Sequence, residues 1–297
     1  MKLVYHQTLP IFERYFQPKS LEEATSLLAE HGCNAKILAG GTDLLVLMRA
    51  RSVTPRYIID ITKIPNLDHI RDDTQGGLVI GALVRLRAAE SSETVRSKYP
   101  LLTEALGHMA TPPLRNMGTL VGNICRASPS GDTIPPLLCL NASVKIMRSG
   151  NVRMVALEKF FQGPGKTILS HDEMVAEVHI PVLDRGTGTA FLRAGRSQVD
   201  LAKVSVASAL TVREGRYKQV RIALGCVAPT PIRAIRAEEI LKGSLFQEKS
   251  IEDAARAAAD ETAPITDVRA SEQHRREMIR VLTGRALRLS IKRATEI

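Results

Sequence analysis

The most informative segment of this chain is Gly118-Thr119-Leu120-Val121-Gly122-Asn123-Ile124-Cys125-Arg126-Ala127-Ser128-Pro129-Ser130-Gly131-Asp132. It lies within residues 111–136, which are rich in Gly, Pro, Asn and Ser and show little periodicity, so we predict a long loop. A loop of that length inside a compact domain is usually functional. Its glycines, hydroxyls and the Asp132 carboxylate suit a ligand with phosphates at one end and sugar-like hydroxyls at the other. The alternative is a solvated loop in which Asn, Ser and Asp only make turns.

A glycine turn lies upstream, at Ala39-Gly40-Gly41-Thr42-Asp43; in chain order this is the first turn, and 118–132 is the second loop. It follows a predicted strand at 36–38 and runs into a predicted helix at 43–49. Glycines let successive N–H groups turn toward an anion, and the start of a helix adds further donors. Thr42 offers a hydroxyl, and Asp43 either caps the helix or meets a ribose hydroxyl. An ordinary tight turn remains the alternative. The spacing is not G-x-G-x-x-G, which disfavours a Rossmann site.

The flanking sequence predicts an α/β first half and an α+β second half. A capping box at Ser20 and Glu23 starts a helix that Gly32 ends. Strands are predicted at 56–60, 78–81, 142–148 and 174–180, with a helix at 101–109. A Pro- and Gly-containing linker at 181–188 follows. Beyond it we predict strands at 189–194, 203–213 and 217–227 and helices at 231–242, 250–260, with Ser250 at its start, and 271–293.

Composition indicates an ordinary globular protein. The chain has 297 residues, a length sufficient for two domains. Of these residues, 44% are hydrophobic and 24% are charged, as in soluble globular proteins. No apolar run is long enough for a membrane span, and the N-terminus has no signal core, so we expect a cytoplasmic protein. The cysteines at 33, 125, 139 and 226 form no C-x-x-C pair, and no two histidines have i, i+4 spacing. We therefore predict no metal site and no catalytic residue on this chain.

The formal charge of +10 is concentrated near the end of the chain. Residues 269–293 include eight Lys or Arg residues and two acidic ones, Glu272 and Glu277. A solvated helix face and a docking surface for an acidic partner subunit both explain this excess. Nucleic acid is disfavoured, because aromatic residues make up only 4% of the chain and no binding motif is visible.

Taken together, the two glycine segments closely resemble the flavin subunit or domain of the molybdenum hydroxylases. That family includes xanthine dehydrogenase, carbon monoxide dehydrogenase and 4-hydroxybenzoyl-CoA reductase. Its typical Ala-Gly-Gly-x-x-Leu motif matches 39–44. Its Gly-Thr-Leu-Gly-Gly-Asn and Ala-Ser-Pro-x-x-Asp motifs match 118–123, except at Val121, and 127–132. Further similar segments at 161–167, 172–173, 200–204 and 223–231 extend the resemblance over nearly the whole chain.

The resemblance implies an α+β protein with a PCMH-type FAD-binding domain at 1–182. Two α/β subdomains, about 1–62 and 63–182, would clasp FAD, and a small α+β C-terminal domain at 187–290 would cover the flavin. The region from Lys36 to Leu44 and the second loop would hold the diphosphate, Asp132 would bind ribityl or ribose hydroxyls, and Met174 and Val175 would contact the isoalloxazine. The implied cofactor-binding residues are Lys36, Ile37, Leu38, Ala39, Gly40, Gly41, Thr42, Asp43, Leu44, Ala110, Thr111, Gly118, Thr119, Gly122, Asn123, Cys125, Asp132, Met174 and Val175.

By the same resemblance, the chain is expected to be an electron-transfer subunit. Electrons would come from a large molybdopterin subunit through a small subunit with two [2Fe–2S] clusters, in a dimer of heterotrimers. FAD would pass them to an acceptor such as NAD, a quinone, ferredoxin or oxygen. Two departures, Leu192 where some relatives have lysine and Val84 where they have threonine, bear on redox tuning. A stand-alone PCMH-type flavin oxidase and a flavin-free binding module with a basic docking face are the alternatives.

Overall fold

A computed structural model describes residues 12–197 and 199–296. The start of the predicted first domain, residues 1–11, lies outside the described residues. The described chain forms a three-stranded, a five-stranded and a four-stranded sheet, together with a small hairpin. The mixed fold expected from the sequence is thus confirmed.

The first sheet is parallel, with the order β1-β3-β2. It is built from β1 (Arg14–Phe16), α1 (Leu21–His31), β2 (Ala35–Leu38), α2 (Leu44–Arg49) and β3 (Tyr57–Asp60). Helix α1 begins as predicted, because Ser20 Oγ accepts a hydrogen bond from Glu23 N–H at 3.1 Å. Glu23 Oε2 in turn accepts from Lys19 N–H at 2.7 Å, one residue before the usual capping-box donor. Gly32 ends the helix with φ +52°.

The second sheet is antiparallel, with the order β4-β5-β10-β6-β7. Its strands are β4 (Ile70–Asp72), β5 (Leu78–Gly81), β6 (Ser143–Arg148), β7 (Asn151–Ala156) and β10 (Met174–Ile180), and the hairpin strands are β8 (Phe161–Gly163) and β9 (Lys166–Thr167). Six helices separate β5 from β6: α3 (Leu86–Ser91), α4 (Glu93–Lys98), α5 (Pro100–His108), α6 (Pro112–Met117), α7 (Leu120–Arg126) and α8 (Ile134–Cys139).

The prediction of a long loop at 111–136 is wrong, because α6, α7 and the first half of α8 lie within it. Each helix has only six or seven residues, too few for an apolar period to be visible. Their starts were nevertheless encoded. Proline occupies the first turn of α6 and α8, and Thr119 caps α7 by accepting a hydrogen bond from Gly122 N–H at 3.0 Å.

The third sheet is antiparallel, with the order β11-β12-β13-β14. It comprises β11 (Thr187–Ala194), β12 (Val204–Arg213), β13 (Arg216–Gly225) and β14 (Ile232–Arg233), followed by α9 (Ile235–Leu241), α10 (Glu248–Asp260) and α11 (Glu272–Thr295). The predicted start of α10 at Ser250 is wrong. Ser250 donates its hydroxyl hydrogen to Gln247 O inside the first turn instead of capping the helix. Ser271, by contrast, caps α11 by accepting from His274 N–H at 3.2 Å.

The four-stranded sheet joins two buried cores. Side chains alternate between the two faces of a strand. Accordingly, Ala207 and Ala209 of β12 face the core of the first two sheets, whereas Val206 and Leu210 face a second core beneath α9, α10 and α11. One face of this sheet therefore covers the first domain, and the other carries the C-terminal helices.

The basic surface of α11 and its flanks is largely paired within the chain. Ion pairs to carboxylates of the same chain are made by Arg269, Arg275, Arg276, Arg280, Arg288, Lys292 and Arg293. This pairing favours a solvated, self-neutralised helix face over a docking surface for an acidic partner.

Candidate functional site

The two glycine segments touch each other at the centre of the site. A Cβ on Gly40 would lie 2.1 Å from Met117 O and 2.8 Å from Gly118 Cα, so only glycine fits there. A Cβ on Gly118 would lie 3.3 Å from Thr42 Oγ1. Gly41 has φ +72°, which favours glycine. These requirements hold the turn after β2 against the start of α7.

One cavity of about 760 Å³ lies along this contact. Among the predicted cofactor-binding residues, Leu38 does not line it. The remaining ones line it together: Lys36, Ile37, Ala39, Gly40, Gly41, Thr42, Asp43, Leu44, Ala110, Thr111, Gly118, Thr119, Gly122, Asn123, Cys125, Asp132, Met174 and Val175. Residues that were far apart in the sequence thus share one surface.

The first turn lines this cavity and carries backbone donors. The N–H groups of Gly40, Gly41 and Thr42 donate to no acceptor among the described residues. Successive N–H groups in a glycine turn form a concavity that binds anions. The first turn can therefore accept a phosphate group without a rearrangement of its own hydrogen bonds.

Asp43 does not cap α2, contrary to one of the two predicted roles. Its side chain makes no capping hydrogen bond, and its Oδ1 lies 3.3 Å from Arg126 Nε. Arg126 also lines the cavity but was not among the predicted site residues. Its position between the two family motifs was visible in the sequence, but its partner was not, because the two residues are far apart along the chain.

The second loop orders its polar groups through local hydrogen bonds. Thr119 Oγ1 caps α7, and Asn123 Oδ1 accepts from the Thr133 hydroxyl at 2.7 Å. Since its oxygen accepts this bond, Asn123, which lines the cavity, has its amide NH₂ available as a donor. Together with the first turn, this gives the cavity hydrogen-bond donors on two sides.

Asp132 is the buried carboxylate of the site, with 5% of its surface exposed. Its Oδ1 is buried and has no hydrogen-bond partner among the described residues. Burial raises the pKa of Asp132 to about 6, and the Arg193 guanidinium, with Nη1 3.9 Å from Oδ2, opposes part of that rise. A buried acceptor without a donor is costly, and a ligand hydroxyl would supply that donor.

Arg193 and Leu192 point in different directions from β11. Arg193 donates to His108 O at 2.6 Å and to Asp200 O, so it joins the two domains beside Asp132. Leu192 packs on the second core, and it does not line the cavity. Val84, the other departure from the family pattern, is buried in the first core and is also not among the lining residues.

The strand β10 begins at the cavity, where Met174 and Val175 are both buried. Glu173 fixes this start: it accepts two hydrogen bonds from Arg153, at 2.8 and 2.9 Å, and one from Ser170 N–H at 2.9 Å. The Arg153 guanidinium lowers the pKa of Glu173, although partial burial opposes the shift. Glu173 therefore has a structural role, although it lines the cavity.

The C-terminal domain closes one side of the cavity through Val199, Asp200 and Leu201. Asp200 and Leu201 belong to a segment that carried the family resemblance, but their place at the cavity was not predicted. Within the described ranges, no three His, Cys, Asp or Glu side chains cluster as metal ligands do, and no helix is long and apolar enough to cross a membrane.

Comparisons with known proteins cover both halves of the chain. Residues 10–183 match the FAD binding domain in molybdopterin dehydrogenase, and residues 189–289 match the CO dehydrogenase flavoprotein C-terminal domain. The glyceraldehyde dehydrogenase medium chain of Sulfolobus acidocaldarius is 33% identical, covering 92% of this chain and 96% of the relative. The carbon monoxide dehydrogenase medium chain of Hydrogenophaga pseudoflava is 34% identical, covering 94% of this chain and 96% of the relative.

A solved structure of carbon monoxide dehydrogenase from Hydrogenophaga pseudoflava, lacking the Mo-pyranopterin moiety of its cofactor, has the same fold. Its matching chain superposes with a TM-score of 0.93 at 34% identity, covering 96% of this chain and 99% of that chain. The similarity therefore extends over both domains.

Proposed function

This chain belongs to the FAD-binding medium subunits of the carbon monoxide dehydrogenase and xanthine dehydrogenase family of molybdenum hydroxylases, and from that premise we propose that it relays electrons through FAD held in this cavity. The observation that carries the proposal is the contact of the two glycine segments along a single cavity. The domain limits of about 1–182 and 187–290 are part of the proposal. The cytoplasmic location expected from the sequence stays a prediction.

The cavity residues fit FAD at its polar end. Free N–H groups at Gly40 and Gly41 would face the diphosphate, as would the amide NH₂ of Asn123. The buried Asp132 Oδ1, which has no partner among the described residues, would accept a hydrogen bond from a ribityl or ribose hydroxyl. The protein groups at this end of the cavity thus provide the donors and the acceptor that a ligand with a diphosphate and several hydroxyls needs.

The apolar end of the cavity would take the isoalloxazine. Met174 and Val175 begin β10 there, and Val199 and Leu201 lie on the side contributed by the C-terminal domain. Bound FAD supplies the one- and two-electron redox chemistry, and the protein supplies orientation and electrostatics. No side chain of this chain is assigned as an acid, base or nucleophile.

The remaining steps involve partners. We place a small subunit with two [2Fe–2S] clusters and a large molybdopterin subunit before FAD, in a dimer of heterotrimers. NAD is our first candidate for the acceptor, with a quinone, ferredoxin or oxygen as the others. Support comes from the relatives, which are named as medium chains of carbon monoxide and glyceraldehyde dehydrogenases.

Flavin titration of the purified full chain tests the core of the proposal. Because the chain contains no tryptophan, changes in flavin fluorescence can be followed without tryptophan interference. We expect one FAD per chain and no flavin reduction when candidate organic substrates are added to the isolated chain. Reduction there would support a stand-alone flavin oxidase. A chain that stays colourless with excess FAD would support a flavin-free module and overturn the proposal.

A further inference from the structure

Arg126 occupies the junction of three segments that line the cavity. It is the last residue of α7, and its Nε lies 3.3 Å from Asp43 Oδ1 in the first glycine turn. The third segment is the turn of the β8–β9 hairpin. Gly165 N–H donates to Ala127 O at 2.9 Å, and a Cβ on Gly165 would lie 3.2 Å from Arg126 Nη1. The guanidinium is therefore confined on two sides.

The distribution of charge around the cavity makes Arg126 unusual. Three lining carboxylates have arginine partners that do not line the cavity: Asp132 with Arg193, Glu173 with Arg153 and Asp200 with Arg196. Among the lining residues that the structure describes, the Lys and Arg side chains are those of Lys36 and Arg126. Lys36 is exposed, whereas 33% of the Arg126 side chain is exposed.

We propose that Arg126 binds the diphosphate of FAD, with Asp43 holding its guanidinium in position; this inference rests on the proposed function. A guanidinium has five N–H donors in a fixed fork, so Nε can serve Asp43 while another nitrogen serves a phosphate oxygen. The contacts at Gly40 and Gly118 bring the two glycine segments together beside this pair. Asp43 is then a positioning residue, and Arg126 is the ligand.

The test compares Arg126→Gln and Arg126→Lys with the unaltered full chain in titrations with FAD, with ADP as a competitor, and with riboflavin. Loss of a charge-assisted hydrogen bond should weaken FAD and ADP binding about 10- to 100-fold. Riboflavin lacks the diphosphate, so the two variants and the unaltered chain should bind it equally. The lysine variant should recover part of the loss, and raising the salt concentration should shrink the difference.

Asp43→Asn and the double variant distinguish binding of the diphosphate by Arg126 from a purely structural role, in which the Arg126–Asp43 ion pair only holds the two segments together. We expect Asp43→Asn to lose less FAD affinity than Arg126→Gln, and the double variant to resemble Arg126→Gln. Arg256→Gln is the matched control, because Arg256 also pairs with an aspartate at 3.3 Å, in α10. Its affinity should not change, and thermal melting of each apoprotein checks folding.

If Arg126→Gln, Asp43→Asn and the double variant all lose the same FAD affinity, the ion pair only holds the segments together, and the proposal is overturned. A loss of riboflavin binding as large as that of ADP would also overturn it. Both outcomes leave FAD binding by the unaltered chain intact. If the unaltered chain itself binds no FAD, the proposed function fails as well, so the two failures are distinguishable.

Discussion

At the scale of single residues, the site depends on positions where a side chain is excluded. Gly40 packs so closely on Met117 O that a Cβ would lie at 2.1 Å, far inside contact distance. The neighbouring atoms are backbone atoms, which cannot rotate away as a flexible side chain would. The approach of the two glycine segments therefore rests on the absence of one methyl group.

We expect Gly40→Ala to separate the two segments and to weaken FAD binding at least about tenfold. The overpacking should also lower the free energy of unfolding by about 1–3 kcal/mol. Flavin titration and urea unfolding of the apoprotein measure the two effects. Gly107→Ala is the control, because a Cβ there meets nothing closer than 3.9 Å and alanine favours a helix. Equal behaviour of the two variants would show that the close contact is unimportant.

Asp132 makes the stability of the apoprotein depend on pH. Burial raises its pKa from the usual 3.8 to about 6, so between these values the folded chain holds a proton that the unfolded chain has lost. Stability therefore falls as pH rises from about 4 to 6 and stays lower above that, by at most about 3 kcal/mol. The carboxylate costs stability when ionised, which fits a role in binding a ligand.

Asp132→Asn should remove this part of the pH dependence and also reduce FAD affinity. Urea unfolding of the apoprotein between pH 4 and 8 should give a flatter profile for the variant than for the unaltered chain. Asp184→Asn, at an exposed position, should leave the profile unchanged. If Asp132→Asn and the unaltered chain have parallel profiles, the carboxyl is not the source of the effect.

At the scale of elements, α11 lies directly on the backbone of β11. A Cβ on Gly188 would lie 1.9 Å from Ser290 O and 2.5 Å from Ala294 N. Beside this contact, the hydroxyls of Ser208 and Ser290 share a hydrogen bond of 2.7 Å inside the core. The charged residues of α11 suggested a surface helix, but its other face, with Ile279 and Leu287, is fully buried.

Gly188→Ala should push α11 away from the sheet and destabilise the C-terminal domain by about 1–3 kcal/mol. Thermal melting and urea unfolding of the full chain would detect the loss. Gly163→Ala, also in a strand, is the matched control, since no atom lies within 4 Å of its Cβ position. A variant at Gly188 that melts like the control would contradict this account of the packing.

At the scale of the whole molecule, the cavity depends on the junction of the two domains. Glu104 of α5 accepts a hydrogen bond from Phe191 N–H at 3.1 Å and pairs with Arg293 of α11 at 2.7 Å. Cys226 N–H donates to Pro129 O at 2.8 Å, next to the second loop. Through these contacts the C-terminal domain brings Val199, Asp200 and Leu201 to the cavity, which the first domain alone would leave open.

The sequence by itself determined the local structure and the chemical character of the site. Ser20, Gly32 and Ser271 mark helix ends, strands such as β5 and β10 have the predicted limits, and the glycine motifs select residues that now share a cavity. These features depend on a residue and its near neighbours, which the sequence states directly. The short helices inside 111–136 were missed because they are held by packing and not by periodicity.

Only the tertiary structure decided which charged groups meet. Asp43 pairs with Arg126 instead of capping α2, and Asp132 lies beside Arg193. The partners in each pair are far apart in the sequence, and either member would be satisfied by water in an unfolded chain. Electrostatic energies depend on distance and burial, and these quantities exist only after the sheets and helices have packed together.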